Sequence, residues 1–155
     1  SVLERKRGYC VSKASLLAAV ARAAGIPARV GYADVKNHMT SKRLHETLKT
    51  DIYRWHSYTE LFLDGRWVKA TPAFNLSLCE RLGVHPLEFD GQTDSLLQEY
   101  DPVGNRHMEY LQNRGSFADV PFDTITADFR IHYPAMMKGS IGGDFQKEAV
   151  AGDLN

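Results

Sequence analysis

The longest strand-like run is Ile52-Tyr53-Arg54-Trp55-His56-Ser57-Tyr58-Thr59-Glu60-Leu61-Phe62-Leu63. It meets Asp64-Gly65 and turns back through Arg66-Trp67-Val68-Lys69-Ala70-Thr71 to Pro72. Asp-Gly is a favoured type I′ pair, whose two positive φ angles match the twist of the strands it joins. The prediction is a β-hairpin, and the turn sets its register. With a period of two, His56, Tyr58, Glu60 and Phe62 share one face. Thr71, at the end of the return strand, falls near the level of the chain just before His56.

Upstream, Gly8-Tyr9-Cys10 runs into an alanine-rich stretch that closes at Gly25, just before Ile26-Pro27. Ala and Leu are strong helix formers, and Gly followed by Pro is a stop signal. Leu16, Leu17, Val20 and Ala24 fall at helical spacing and are expected to bury one face. Cys10 then lies in or just before the first turn. Backbone N–H groups there have no intrahelical acceptor, and the helix macrodipole adds about half a positive charge. Both favour a thiolate, the nucleophilic form of cysteine. The same N–H groups can receive an oxyanion formed beside the sulfur. The plain alternative is a small buried hydrophobe, as most free cysteines are.

The rest of the chain reads as alternating short elements. Ala28 to Val35 is a predicted strand. Lys36 to Asp51 is a polar excursion containing His38 and His45, helical in part because Leu44 and Leu48 are four apart. Leu76 to Leu82 is a short helix carrying Cys79 and ended by Gly83. Leu87 to Gly91 is a turn or short strand, and Asp101 to Asn105 a turn. His107 to Arg114 reads as a helix stopped by Gly115. Thr124 to Tyr133 reads as a helix capped by Asp123 or Thr124 and ended by Pro134. Residues 1–137 are expected to form one α+β domain, with 138–155 a mobile tail.

Composition narrows the class. The 155 residues are 43% hydrophobic and 25% charged, which suits one domain with a real core. Nineteen basic and nineteen acidic side chains cancel, so no broad pull toward nucleic acid or membrane is expected. No apolar run approaches the roughly 20 residues of a membrane span, and no signal peptide is visible. Two cysteines make neither a disulfide framework nor a four-cysteine zinc site. Free thiols point to a bacterial-style cytoplasmic protein. Asp90, Asp94 and Asp101 do not have EF-hand spacing and read as turn residues. No metal or cofactor is expected. His38, His45, His85, His107 and His132 read as surface or capping residues.

Gly8-x-Cys10, the helix, Ala24-Gly25-Ile26-Pro27-Ala28-Arg29, His56 with Glu60, and Gly65-Arg66-Trp67-Val68 with Thr71-Pro72 together resemble the transglutaminase-like superfamily. The resemblance covers Gly8 to Asn75, and the stretch through Pro134 also looks like a bacterial group within that superfamily. It implies a papain-like core, with a cysteine-bearing helix packed on an antiparallel sheet that carries histidine and aspartate. Carried over, Cys10 takes the nucleophile's position and His56 the general base's. Thr71 stands where the family has an aspartate. Only nine residues precede Cys10, where the family has a longer helical segment, so part of the family's core is expected to be missing.

What the resemblance implies is acyl chemistry. The imidazole takes the thiol proton, the thiolate attacks a carbonyl of a peptide or protein, and a thioacyl-enzyme forms. Water or an amine then takes the acyl group. In the serine-protease template, neutralising the aspartate costs about 10⁴ in rate, largely through a wrong tautomer. A threonine hydroxyl orients without charge, and a thiol, being more acidic than a serine hydroxyl, tolerates the loss better. Asn75, Asp90 and Asp94 are the other residues considered for orienting His56. Trp55, Tyr58 and Trp67 are the expected substrate contacts. Glu60, about 13 Å along the strand from His56 at ~3.3 Å per residue, is expected to pair with Arg29 or another cation. Two rival readings are a catalytically inactive binding module and a Cys–His metal site.

Overall fold

The computed structural model describes residues 2–6 and 8–137, apart from the side chains of residues 5 and 43. The tail expected over residues 138–155 lies outside them. The elements in order are α1 (Val2–Arg5), α2 (Cys10–Ala23), β1 (Ala28–Asn37), α3 (Lys42–Leu48), β2 (Ile52–Leu63), β3 (Arg66–Ala70), α4 (Leu76–Leu82), β4 (Met108–Phe117), α5 (Phe122–His132) and α6 (Pro134–Met137). The strands form one antiparallel sheet in the order β3-β2-β1-β4. The architecture is α+β, with the Cys10 helix packed on that sheet.

The hairpin forms as the turn residues dictate. Asp64 and Gly65 take φ of 47° and 80°, and Leu63 faces Arg66 across the turn. β3 stays with β2 only from Leu63 to Thr59, where Ala70 is the partner. Beyond that point β3 leaves. Its Ala70 also bridges to Ser95, whose N–H donates to the Lys69 carbonyl at 2.8 Å. The outer edge of β2 at Tyr58, Ser57 and His56 is therefore not covered by β3.

The helix α2 packs by its small residues. Val11, Ala14, Ala18 and Ala21 are buried, and Val20 is exposed, so the face expected from Leu16, Leu17, Val20 and Ala24 is not the buried one. Alanines let the helix axis approach the sheet closely enough for the Thr59 hydroxyl to donate to the Ala14 carbonyl at 2.8 Å. Val30, Tyr32 and Leu61 complete this core from the sheet. Gly25, at φ 80°, ends the helix, and the Ile26 N–H returns to the Ala21 carbonyl.

Two expectations about the second half are corrected. His107 to Arg114 is not a helix: residues 108–117 form β4, which pairs with β1 and adds an edge to the sheet. Met108 and Tyr110 carry the period-two signal here, and both pack beside Val35. The last long helix begins at Phe122 with Pro121 before it and no side-chain cap, so neither Asp123 nor Thr124 caps it. Pro134 ends that helix and opens α6, a position where its missing N–H is harmless.

The sheet is kinked around one buried carboxylate. Arg54 and Trp55 of β2 stand opposite Asp34 alone on β1, between the pairs His56–Ala33 and Tyr53–Val35. Trp55 takes φ 59°, rare for a bulky side chain. On the other side, Arg114 is the extra residue of β4 between the partners of Tyr32 and Ala33. Asp34 accepts the Trp55 N–H at 3.1 Å and the Arg114 guanidinium twice, at 2.9 and 2.7 Å. α5 adds Asp128, which accepts the Trp55 indole N–H at 3.0 Å. The bulge that directly precedes His56 is thus tied to three other elements. Asp34→Ala leaves Arg114 without its partner and should destabilise the fold by about 3 kcal/mol, the low end for a broken buried pair because Arg114 keeps some solvent. Urea denaturation measures it, and a loss under ~1 kcal/mol would show that the bulge holds without the carboxylate.

Candidate active site

Cys10 opens α2, with Tyr9 as its extended N-cap and no side-chain cap. The residue is half-buried, and its sulfur comes to the uncovered edge of β2. The Ser57 N–H reaches it there, together with the N–H groups of Val11 and of Cys10 itself. These amides, and the Lys13 ammonium one turn along, favour the thiolate. Burial outweighs them and pushes the Cys10 thiol above its ordinary value. The helix-end effects read from the sequence are present, but the expected low thiol pKa is not, because dense packing around the sulfur disfavours its charge. Lys13 is fixed by donating to the Ala73 carbonyl at 2.7 Å.

His56 follows the bulge on β2 and is one residue from the Ser57 amide that touches the sulfur. It is buried, and that burial alone lowers its pKa to about 4. Its Nε2 is buried without a hydrogen-bond partner. The ring lies edge-on to Tyr110 of β4, with centroids 6.0 Å apart and planes at 71°. The resting groups are therefore a neutral thiol and a neutral imidazole rather than an ion pair.

Thr71 is buried just past the end of β3, and its Oγ1, like Nε2 of His56, has no aligned hydrogen-bond partner. The other orienters considered are all occupied elsewhere. Asn75 caps α4 by accepting the Leu78 N–H at 3.0 Å. Asp90 accepts the N–H groups of Gln92 and Thr93, and Asp94 that of Lys69. Local backbone claims these three side chains, which is what Asn and Asp do in turns. Tyr110 is the residue the sequence reading missed. Mistaking β4 for a helix hid the strand that carries it.

The three aromatic residues expected at a substrate site separate. Trp55 is in the core, edge-on to Tyr32 at 5.5 Å. Tyr58 is buried flat across Gly31, where a Cβ would come within 2.1 Å of its ring. Gly31 is the residue that allows this approach. Trp67 keeps 39% of its surface exposed, beside Phe62 and under the Arg29 guanidinium at 4.1 Å. Arg29 also pairs with Glu60, as expected. Cys79 lies in α4, as expected, and is buried there. Among the described residues, no group of three or more His, Cys, Asp or Glu could hold a metal ion, and no helix is long and apolar enough to cross a membrane.

The low pKa of His56 has a consequence for stability. Between about 4 and the ordinary 6.5 the unfolded chain holds a proton at this ring that the folded chain does not. Stability from this group is complete above pH 6.5 and is lost as pH falls through that window. Denaturant unfolding at about pH 7.5 and about pH 4.5 should show His56→Gln losing roughly 2.5 kcal/mol less than the parent chain. Equal losses in the two proteins would place the His56 pKa near its ordinary value.

A model of the transglutaminase-like superfamily matches residues 1–72. No curated protein and no solved structure matches the chain. The match takes in α2, β1, β2 and β3 and stops beside Thr71, so β4 and Tyr110 lie beyond it. Over residues 1–72, a little under half of its length, the chain is similar to the transglutaminase-like superfamily.

Proposed function

We propose that the chain is a cysteine-dependent amide hydrolase or acyltransferase with a papain-like site, acting on peptide or protein substrates. The observation that carries this reading is the meeting of the α2 N-terminus with the open edge of β2. Sγ of Cys10 lies near the Ser57 N–H there, next along the strand from a histidine that burial keeps neutral.

In this reading the thiol does not ionise first. As Sγ bonds to the substrate carbonyl carbon, its proton passes to the His56 ring, and the carbonyl π electrons move to oxygen. The backbone amides at the start of α2 stabilise that oxyanion. The oxyanion collapses, the C–N bond breaks, and the imidazolium returns its proton to the departing amine. Water or a second amine then attacks the thioester as His56 takes its proton, and the thiol is restored. Thr71 orients the ring from the position the family gives to aspartate.

The second reading, a binding module that has lost catalysis, draws on Thr71 itself: no carboxylate is there to stabilise an imidazolium. Glutamine-containing peptides incubated with the pure protein and followed by mass spectrometry separate the two. Cleavage or ammonia loss that disappears in Cys10→Ala is the expected result, with an acid limb near pH 4, below which His56 is protonated. Binding without turnover across a broad peptide set gives the second reading its case.

Restoring the carboxylate makes a separate prediction. An anion beside the ring favours imidazolium, so Thr71→Asp should raise the His56 pKa by one unit or more, at about 1–3 kcal/mol in stability. NMR titration of the His56 ring reads it, and an unmoved pKa would put position 71 out of reach of the imidazole.

A further inference from the structure

The buried wall of the site comes from chain beyond the family match. Tyr110 stands on β4 opposite Val35, two strands from β2, and its ring is the aromatic neighbour of His56. Its hydroxyl is not free to wander. The Leu97 N–H donates to it at 3.3 Å, and the Thr71 hydroxyl lies beside it, near enough to lower the phenol pKa though not aligned as a full hydrogen bond. Burial, the larger effect, pushes that pKa up to about 12, so the phenol keeps its proton and remains a donor. Tyr110 therefore has His56 beside its ring and Thr71 beside its hydroxyl, and both Nε2 of His56 and Oγ1 of Thr71 are buried without a partner.

We propose that Tyr110 is a positioning residue for His56, acting with Thr71 as a pair of hydroxyls in place of a carboxylate. The inference rests on the catalytic reading above for its use, but not for its test. With its oxygen held by Leu97, Tyr110 directs its O–H to Oγ1 of Thr71. A hydroxyl oxygen has two acceptor sites, so Oγ1 keeps one for Nε2–H of His56. The imidazole is then held as the Nε2–H tautomer, and Nδ1 is left as the base for the thiol. The edge contact of the two rings limits rotation about the last side-chain torsion of His56. Orientation and tautomer are supplied in this way without a charge, which fits a site too buried to keep an imidazolium at rest.

Two readouts test it without any substrate: the ¹⁵N shifts of the His56 ring, which report tautomer, and the pH profile of Cys10 alkylation by iodoacetamide, resolved from Cys79 by peptide mapping. Tyr110→Phe keeps the ring and removes the hydroxyl; Thr71→Val removes the hydroxyl at nearly constant shape. Each should lower the Nε2–H fraction and slow Cys10 alkylation near neutral pH about tenfold. The double variant should be no slower than either single one, because the two hydroxyls act in series. Thr71→Ser should restore both signals. If Tyr110→Phe does not fold, replacing Tyr110 by 3-fluorotyrosine strengthens donation to Thr71 and should shift the His56 Nε2 resonance. Folded variants with unchanged ring shifts and unchanged alkylation overturn the proposal. Loss of the peptide-cleaving reading would appear separately, as turnover that is absent or that survives in Cys10→Ala.

Discussion

The site depends on a strand edge that its neighbour gives up. β3 follows β2 back from the turn only as far as Ala70, opposite Thr59. A backbone N–H left without a strand partner must find another acceptor or water. The Ser57 N–H lies close enough to the sulfur of Cys10 to favour its thiolate. The helix end and the strand edge each present donors to the same atom, and neither element alone creates that place. The clamp from the Thr59 hydroxyl to the Ala14 carbonyl, one turn into α2, keeps the helix start at this height on the sheet.

Immediately before His56 the sheet is bent on purpose by a buried charge. The paired bulges around Asp34 place an arginine from β4 and a tryptophan amide from β2 on one carboxylate. Bulges of this kind often stand beside functional sites, where they re-aim a side chain. Here the cost is a tryptophan at positive φ, a strained conformation that persists only because its surroundings over-determine it. Its indole is held by Asp128 and packed against Tyr32 and Phe117. The rigidity of β2 before His56 is therefore supplied largely from α5 and β4.

Burial decides the protonation states. An open site at a helix N-terminus favours thiolate, and an open Cys–His pair favours the ion pair. In this fold the surroundings of both groups are dense enough to reverse each preference: the thiol is pushed up and the imidazole down. Transfer of the proton in step with bond formation suits such a pair.

By itself the sequence determined the local elements. Asp64-Gly65 specified the hairpin because its two positive φ angles match the twist of the strands it joins. Gly25 with Pro27 stopped α2, and the stretch that resembles the superfamily is the one its model matches, residues 1–72. It misplaced what depends on contact at a distance. Residues 107–114 read as a helix because their period-two signal is short and polar, and only pairing with β1 makes them a strand. The buried face of α2 is its alanine face because the sheet approaches there, which periodicity cannot weigh against leucine. Tertiary structure alone decided which residues surround His56. Asn75, Asp90 and Asp94 were drawn off to nearby backbone, Tyr110 arrived from a strand more than fifty residues away in sequence, and desolvation, a property of the whole packing, set the charge on both Cys10 and His56.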